Sequence, residues 1–491
     1  MPSLVHIENF GCRAARADGE AIAALLRTAG VHESQTPDAD VVIVNTCSVT
    51  AEADREARAY IRRAHRLNPT ARIIATGCYA QRAPQELAAI SGVSAVIGNS
   101  HKALAPEIAL GLMNADSVSS SNYGLIQIHS AQSGVAPPQV VLADDSFAHS
   151  FLEEAPITSG AQTRPNLKIQ EGCSNRCSFC VIPQTRGNSR SLSGNSILSH
   201  VHNFVASGGN ELVLSGINLG RWGRDLDPAQ SFPRTFAALV RAIIEQTNLP
   251  RLRLSSIEPM DWDADLIAIM SEYGGTHLAR HAHLPLQSGS DSVLRRMHRR
   301  YRPWHYADKV AALRQAAGPS LTLGADVMVG FPGETDREFQ ETCDFIRSLP
   351  FGYLHLFPFS PRPGTRAWTL HAASPVPQPV AQQRMATLRA LAAEKMRAHR
   401  RQFIGTELDA ITLHTPPELA SANCTSALTE NFLPVEVAGA TPANQLIRLC
   451  LTGMGPDATL IATPARPSNY LPNPHLDARS VLPEPTLEIA Y

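Results

Sequence analysis

The hydrophobic and polar positions of about the first 110 residues follow two alternating periods. Three short β-branched runs, "LVHIENF", "DVVIVNT" and "ARIIAT", are typical of strands buried in a parallel sheet. The segments between them, "GEAIAALLRTAG" and "AEADREARAYIRRAHRLNP", place apolar residues at helical spacing, and Gly30 ends the first segment. The pattern predicts a βαβαβ unit, and therefore an N-terminal α/β domain with a parallel sheet.

The period of the pattern changes twice more along the chain. From about residue 165 to 370, strand-like runs alternate with helical segments: "LKIQ", "ELVLSG", "RLRLSS", "HLPLQ", "ADVMVG" and "YLHLFPF". Six such β/α units predict an incomplete parallel barrel rather than a closed eightfold one. Beyond Gly405 the runs become short and alternating, which predicts a small all-β module.

These changes of pattern divide the chain into five segments. The region between the first two domains is rich in Ser, Gly and Pro, and the C-terminal tail is rich in Pro, so both are predicted to lack regular structure. The segments are an N-terminal α/β domain (1–111), a linker or insertion (112–163), a partial (β/α)6 barrel (164–400), a β module (401–465) and a tail (466–491).

Three cysteines, which we call the N-terminal triad, each follow directly on a predicted N-terminal strand. They are Cys12 in "ENFGC", Cys47 in "VNTC" and Cys78 in "ATGC". Parallel strands end at one edge of their sheet, where α/β folds bind ligands. We therefore expect the three thiols to converge in space. The alternative is that the three are unrelated buried cysteines. This is disfavoured because all three share the same position directly after a strand.

Three further cysteines, the central triad, lie together in "IQEGCSNRCSFCVIPQTRG" after the first barrel strand. Cys173, Cys177 and Cys180 are spaced C-x-x-x-C-x-x-C, and no other Cys or His lies within 18 residues. Structural zinc uses four protein ligands, which makes zinc the weaker alternative. A four-iron cluster held by three thiolates instead keeps one iron open for a substrate or cofactor.

Composition sets limits on the function without choosing one. The chain has 491 residues and a net charge of −1, so nucleic-acid binding would have to come from local basic patches. The N-terminus has no basic segment followed by an apolar run, and no apolar stretch is long enough to cross a membrane, so we expect a cytoplasmic protein. Nine cysteines in such a protein indicate metal binding or catalysis rather than disulfides.

The spacing of the central triad, in the first βα loop of a partial barrel, resembles the signature of the radical S-adenosylmethionine (radical SAM) enzymes. The resemblance implies a 4Fe-4S cluster on Cys173, Cys177 and Cys180 whose open iron chelates SAM. An electron from the cluster would cleave SAM to methionine and a 5′-deoxyadenosyl radical, which the protein positions and shields.

The resemblance is closest to the methylthiotransferases, because "VNTCSVTAEAD", "TGCYAQ", "HLPLQSGSD" and "VGFPGET" occur together with the central triad. It implies that Cys12, Cys47 and Cys78 hold a second 4Fe-4S cluster, and that SAM is both radical source and methyl donor. It also implies that the β module is a TRAM domain. The implied partners are a tRNA anticodon stem-loop, a flavodoxin- or ferredoxin-like electron donor and a sulfur source.

Three segments are most similar to the subfamily that acts on carbon 2 of threonylcarbamoyl-adenosine beside the anticodon. They are "RLSSIEP", "RRMHRRYRPWHYAD" and "LHLFPFSPRPGTRA". Methylthiolation of isopentenyl-adenosine, or of an aspartate in a ribosomal protein, is the alternative within the family. An RNA-binding protein stabilised by zinc or a cluster, without catalysis, is the alternative outside it.

The remaining candidate residues lie at strand ends or in basic runs. SAM or substrate contacts are expected from residues just beyond barrel strands: Gly216, Ser256, Glu258 and Gln287. Arg186 resembles a family arginine close to the cluster, although a structural salt bridge would explain it equally. RNA contacts are expected from a basic cluster: Arg295, Arg296, Arg299 and Arg300. One departure is "GCRAARADGE", where Ala14, Ala15 and Arg16 replace the polar Asn-Gln-like pair usual after the first cysteine.

Overall fold

The computed structural model describes residues 3–113, 140–151, 155, 157, 162–227 and 233–465. The α-helices are α1 (Arg13–Thr28), α2 (Ala51–Leu67), α3 (Cys78–Arg82), α4 (Pro84–Ala88), α5 (Ala105–Met113), α6 (Ile182–Arg186), α7 (Gly194–Ala206), α8 (Phe236–Gln246), α9 (Ala264–Tyr273), α10 (Asp291–Arg296), α11 (Pro303–Ala317), α12 (Asp336–Ser348), α13 (Arg366–Ala373), α14 (Gln378–Arg401) and α15 (Pro417–Ser421). The strands are β1 (Leu4–Asn9), β2 (His32–Glu33), β3 (Val41–Thr46), β4 (Arg72–Gly77), β5 (Val93–Gly98), β6 (Val140–Leu142), β7 (Asn166–Glu171), β8 (Arg190–Ser191), β9 (Glu211–Gly216), β10 (Arg251–Leu254), β11 (His281–His283), β12 (Thr322–Val329), β13 (Phe351–Pro358), β14 (Glu407–Thr412), β15 (Cys424–Thr429), β16 (Pro434–Ala438), β17 (Leu446–Met454) and β18 (Leu460–Pro464).

The N-terminal domain is a parallel sheet in the order β2-β1-β3-β4-β5-β6. The predicted βαβαβ unit is confirmed, and β3 is buried along its whole length, as its unbroken β-branched run requires. Strand β6 lies in the segment assigned to the linker, yet it pairs with β5. A three-residue edge strand is too short to show a period, which explains why the sequence did not reveal it. Residues 114–139 of that linker lie outside the described residues.

The central domain has two parallel sheets that together make an open barrel. One has the order β10-β9-β7-β8, in which the short β8 is antiparallel, and the other has the order β11-β12-β13. Isolated parallel bridges, Leu252 to Leu278 and Ser256 to His283, join β10 to the β11 side. The predicted incomplete barrel is confirmed. Large apolar side chains of its strands and helices form the main hydrophobic core.

The C-terminal module is a closed barrel in the order β14-β15-β16-β18-β17. The predicted small all-β module is therefore confirmed, with β15 as a strand that the sequence pattern did not separate. Its own small core includes Phe403, Leu449 and Leu460. The predicted Pro-rich tail lies outside the described residues. Within the part of the chain that is described, no helix combines the length and apolar character needed to cross a bilayer.

Candidate iron–sulfur site and barrel lumen

The N-terminal triad is assembled at one edge of the first sheet. Cys12 precedes α1, Cys47 follows β3, and Cys78 begins α3 directly after β4. The loops are in close contact: a Cβ atom on Gly11, where φ is +100°, would lie 2.5 Å from the Cβ of Cys47. Burial, and then the proximity of Cys78 and Cys12, raises the pKa of Cys47 to about 12. The structure thus brings the three thiols together, and a cationic cofactor would be needed to keep Cys47 as a thiolate.

The central triad occupies the loop between β7 and α6. Burial, followed by the neighbouring Cys177, raises the pKa of Cys180 to about 12, and burial also raises the pKa of Cys173. The loop is fixed by backbone hydrogen bonds: the Cys173 N–H donates to Gly187 and the Cys180 N–H donates to Cys177. Like the first triad, this loop concentrates thiols whose ionisation requires a positive partner.

The sulfur atoms of each triad are spread too widely for one metal ion. Zinc bonds to thiolates are about 2.3 Å long, so two sulfurs on one tetrahedral ion lie roughly 3.8 Å apart. Among the described residues, the group of three Cys, His, Asp or Glu ligand atoms lying within 4.8 Å of one another is His283, Asp326 and His355, which includes no cysteine. Both triads therefore fit a multi-iron cluster better than zinc.

Nitrogen donors point at sulfurs of both triads. Arg186 Nε lies 3.3 Å and Asn99 Nδ2 lies 3.4 Å from Cys78 Sγ. At the central triad, Arg299 Nη1 lies 3.3 Å from Cys177 Sγ, and Asn218 Nδ2 lies 3.6 Å from Cys173 Sγ. Hydrogen bonds to cluster sulfurs stabilise negative charge and set the reduction potential. Asn99 and Asn218 were not singled out by the sequence, since a lone Asn carries no recognisable spacing.

A buried network of charges joins the N-terminal triad to the barrel. Arg186 bonds to Glu171 at 2.6 Å and to Asp18 at 3.1 Å, while Lys102 bonds to Asp18 at 2.7 Å. Lys168 also pairs with both carboxylates. Burial alone would raise the pKa of Glu171, but Arg186, Lys102 and Lys168 hold it well below its usual value. Three cations face two carboxylates, so one positive charge is left beside the sulfur of Cys78.

The residues predicted to contact SAM surround the mouth of the barrel. Gly216 ends β9, where an added Cβ would lie 3.0 Å from the Gln170 side chain. Ser256 is exposed beyond β10. Glu258 pairs with Arg299 at 2.5 Å, so its carboxylate lies beside the central triad. These positions are compatible with the prediction, which remains a proposal.

Gln287 lines a cavity of about 190 Å³ together with Cys180. Its φ is +62°, and its buried Oε1 has no hydrogen-bond partner among the described residues. Val49 and Thr50, which follow Cys47, line the same cavity from the N-terminal domain. The cavity thus lies where the loops of both triads meet. A larger cavity of about 250 Å³, between α1 and β7, includes no cysteine in its lining.

The four arginines predicted to bind RNA separate into two groups. Arg295 and Arg300 are exposed, and Arg296 is half-buried, paired with Glu338. Arg299 is only 7% exposed and is bonded to Glu258 and Cys177, so its assignment to RNA contact is wrong. The run of basic residues concealed this difference, because Arg299 lies beyond the end of α10 and turns inward.

The lumen of the barrel contains a polar and aromatic group that the sequence analysis did not single out. Tyr353 Oη bonds to His281 at 2.7 Å and to His283 at 2.9 Å. Asp326 lies 3.1 Å from His283 and 3.4 Å from His355. Phe432 and Arg13 complete the group: the C-terminal module supplies Phe432, 4.3 Å from the His281 ring, and α1 supplies Arg13, 5.8 Å from the Phe432 ring. Three domains thus line one space.

Comparison with known proteins agrees with the two-triad geometry. Residues 4–98 match the model of a family described as "Uncharacterized protein family UPF0004", and residues 167–346 match that of the radical SAM superfamily. The threonylcarbamoyladenosine tRNA methylthiotransferase MtaB of Bacillus subtilis (strain 168) is 34% identical, over 89% of this chain and 90% of the relative. The enzyme of the same name from Aquifex aeolicus (strain VF5) is 32% identical, over 91% of this chain and 100% of the relative.

A further relative and a solved structure were also compared with this chain. The tRNA-2-methylthio-N(6)-dimethylallyladenosine synthase of Geobacter metallireducens (strain ATCC 53774 / DSM 7210 / GS-15) is 34% identical, over 75% of this chain and 78% of the relative. Among solved structures, the radical SAM methyltransferase TsrM of Kitasatospora setae has a TM-score of 0.49 at 14% identity, covering 75% of this chain and 77% of that one.

An open parallel barrel with a three-cysteine loop after its first strand, matched by the superfamily model, defines a radical SAM enzyme. Two findings identify the family within this class: the match of the N-terminal domain to a family model, and the similarity to methylthiotransferases over most of the chain. The chain belongs to the methylthiotransferase family of radical SAM enzymes. The predicted family, the enzyme class and the use of SAM and iron–sulfur chemistry are confirmed.

Proposed function

We propose that this enzyme adds a methylthio group to carbon 2 of threonylcarbamoyl-adenosine beside the tRNA anticodon. The single observation that carries the proposal is a second cysteine triad that one buried network joins to the strand before the central triad. In this network Arg186 bonds to Cys78 and to Glu171 at the end of β7. A radical SAM enzyme needs one triad for its cluster. A second triad that is bonded to a network reaching the barrel supports a second cluster that delivers sulfur.

Each triad has the residues that a 4Fe-4S cluster requires. Cys173, Cys177 and Cys180 would hold the cluster that binds SAM, and Cys12, Cys47 and Cys78 would hold the other. When bound, the cluster on the central triad would supply the electron for SAM cleavage, and the cluster on the N-terminal triad would supply sulfur for transfer. The fit is supported by three cysteines in each loop cluster and by N–H donors aimed at both sets of sulfurs.

The protein's own residues position these groups and exclude water. Arg299 is fixed by Glu258 and Tyr301, so its N–H is held towards Cys177. Gln287 offers an unpaired amide oxygen to the cavity beside Cys180. Phe179 and Phe357 line the same cavity and make it apolar, which shields a reactive intermediate from solvent.

The exposed basic residues suit a polyanionic substrate. Arg295 and Arg300 lie on the surface, at and just beyond helix α10, and we assign them to phosphate contacts of the anticodon stem-loop. The closed C-terminal barrel would act as a TRAM domain that holds the stem. An electron donor of the flavodoxin or ferredoxin type and a sulfur source complete the partners, and we place the reaction in the cytoplasm, where tRNA is.

Mass spectrometry of tRNA nucleosides from cells with and without the gene tests the substrate. We expect 2-methylthio-threonylcarbamoyl-adenosine to disappear in the deletion strain and to return with the wild-type gene. The isopentenyl-adenosine product is the second candidate, favoured by the 34% identity to the Geobacter metallireducens relative. Loss of that product, with the threonylcarbamoyl product unchanged, would overturn the proposal.

Anaerobic reconstitution tests the two-cluster assignment. We expect about eight irons per chain and reductive cleavage of SAM, since two clusters contain four irons each. Simultaneous Cys12→Ala, Cys47→Ala and Cys78→Ala substitution should leave about four irons and retain SAM cleavage while methylthiolation is lost. Bound zinc without SAM cleavage in the wild-type protein would instead favour a non-catalytic RNA-binding protein.

A further inference from the structure

Arg13 differs from the fully buried arginines of the described chain. Each of those faces a carboxylate, namely Arg186, Arg251, Arg253, Arg299, Arg362 and Arg384. Arg13 is half-buried, and within the described residues it has neither an ion pair nor a hydrogen bond from its guanidinium. Its contact is with the ring of Phe432, 5.8 Å from the guanidinium carbon to the centroid.

Within the described part of the chain, no carboxylate lies within ion-pair distance of the Arg13 guanidinium. The other groups that act on it electrostatically are Tyr353, Arg253 and Asp326. Asp326 is already held by His283 at 3.1 Å and His355 at 3.4 Å, and Arg253 adds repulsion. Removing a guanidinium from water without a partner is unfavourable, so such a group is retained where a ligand supplies the anion.

The position of Arg13 indicates which ligand this is. It directly follows Cys12, so it lies at the triad to which we assign sulfur delivery, and its side chain reaches the lumen group formed by Tyr353 and Phe432. A base whose carbon 2 is presented to that triad carries its N6 substituent into the same space. The threonylcarbamoyl substituent ends in a carboxylate, whereas the isopentenyl substituent is an uncharged hydrocarbon.

We propose that Arg13 binds the carboxylate of the threonylcarbamoyl group and so selects this substrate over isopentenyl-adenosine. The inference rests on the proposed function and deepens it. A guanidinium fork matches a carboxylate through two parallel hydrogen bonds, and the adjacent aromatic rings exclude water from the pair. The ion-pair partner that Arg13 lacks among the described residues would arrive with the substrate.

Two other anions share this chemistry, a tRNA phosphate and the carboxylate of SAM. The experiment therefore compares five reactants in reconstituted enzyme. Four are anticodon stem-loops that carry the threonylcarbamoyl acid, its methyl ester, the isopentenyl group or no modification, and the fifth is SAM alone. Wild type is compared with Arg13→Gln, which keeps polarity and removes charge, and with Arg13→Lys, which keeps the charge. Arg16→Gln is the matched control, since Arg16 is an exposed residue of the same helix paired with Glu20.

We expect Arg13→Gln to lower kcat/KM for the acid by about 10- to 100-fold, the effect of losing one of the two hydrogen bonds to a charged group, since the Gln amide can still donate the other. For the ester, we expect the wild-type and Arg13→Gln values to agree within about threefold, and Arg13→Lys to recover part of the activity on the acid. Iron content and SAM cleavage without tRNA should equal those of wild type, as should all values for Arg16→Gln.

Several outcomes would overturn the assignment. An equal loss on acid and ester shows that Arg13 does not read the carboxylate. Weaker binding of an unmodified stem-loop assigns Arg13 to a phosphate, and slower SAM cleavage assigns it to SAM. A wild-type enzyme that is inactive on the acid but active on an isopentenyl stem-loop overturns the proposed function, and this result is distinguishable because it needs no variant.

Discussion

Arg186 and Arg299 play matching parts at the two triads. Each is buried, each donates an N–H to a cysteine sulfur at 3.3 Å, and each is fixed by a carboxylate. The sequence marked both as basic residues of interest, but assigned Arg186 to a cofactor or a salt bridge and Arg299 to RNA. Spacing along a chain indicates which residues bear charge, whereas the direction of each side chain depends on the turn that follows the helix.

Cysteine positions were the most predictable part of the site, because they are tied to strand ends. The structure adds a constraint that the sequence could not show, namely the space left by Gly11. Its φ of +100° is strained for any other residue, and its Cα faces Cys47. A glycine in a sequence is compatible with many turns. The need for glycine at position 11 is explained by the close approach of the loop that carries Cys47.

Gly11→Ala is expected to displace Cys47 and to remove the N-terminal cluster. The added Cβ would lie 2.5 Å from the Cβ and 2.6 Å from the Sγ of Cys47. We expect iron to fall from about eight to about four per chain, with SAM cleavage retained and methylthiolation lost. Gly30→Ala is the matched control, since Gly30 also has a positive φ but has no atom within 4 Å of the added Cβ. Full iron content in Gly11→Ala would refute the expectation.

At the scale of elements, the hydrophobic pattern of helix α1 predicted its secondary structure but not all of its buried residues. The apolar residues Ile22 and Leu26 predicted the helix and its buried face. The same helix also buries Asp18, an acidic residue that a helical pattern would place in solvent. Its partners Lys102 and Lys168 are more than 80 residues away, so no local pattern could have paired them.

Asp18→Asn is expected to lower the free energy of unfolding by about 3–5 kcal/mol, because it leaves three buried cations with one carboxylate. Urea unfolding of the reconstituted protein measures this change. Glu52→Gln breaks an exposed pair with Arg55 and should cost less than about 1 kcal/mol. Equal effects of the two substitutions would show that the buried network contributes no more than a surface pair.

Helix α14 is joined to the barrel by a buried imidazole. His399 contacts Thr322 Oγ1 at 2.8 Å and Gln402 at 2.7 Å, and burial lowers its pKa to about 4. Because the folded pKa is below the unfolded value of about 6.5, the neutral ring contributes stability above pH 6.5. That contribution is lost as the pH falls towards 4, by about 3 kcal/mol in total.

His399→Gln should therefore flatten the pH dependence of the unfolding free energy between about pH 6.5 and 4. Chemical denaturation of wild type and variant at several pH values measures the difference. His32→Gln, at an exposed position on the edge strand β2, is expected to leave the wild-type curve unchanged. A curve for His399→Gln that is parallel to wild type would show that this imidazole does not titrate on unfolding.

At the scale of the whole molecule, the three domains were predictable and their docking was not. The C-terminal barrel inserts the turn between β15 and β16 into the base of the central barrel. Glu430 pairs with Arg280 at 2.6 Å, Asn431 donates to the Ser320 carbonyl at 3.0 Å, and Phe432 stacks on His281. The turn has no apolar run to mark it, and its partners lie more than 100 residues away in sequence.

Phe432→Ala is expected to loosen this docking. Because the ring is half-buried, its removal should lower the free energy of unfolding by about 2–3 kcal/mol. Removal of a fully buried Phe ring costs about 3–5 kcal/mol. Limited proteolysis should then release the module after α14 at a lower protease concentration than in wild type. Leu446→Ala, at an exposed position on β17, is the control and should change stability by about 0.5 kcal/mol or less. Unchanged protease resistance in Phe432→Ala would show that contacts other than Phe432 hold the C-terminal module on the central barrel.

The buried charge network has a consequence for how the family can diversify. Asp18 and Lys102 come from the N-terminal domain, whereas Lys168, Glu171 and Arg186 come from the barrel. Consider a chimaera in which one domain is replaced by a domain that lacks these charges. It would leave a buried charge without its partner at the interface between the two domains. The N-terminal domain and the barrel are therefore expected to fold and dock as a matched pair.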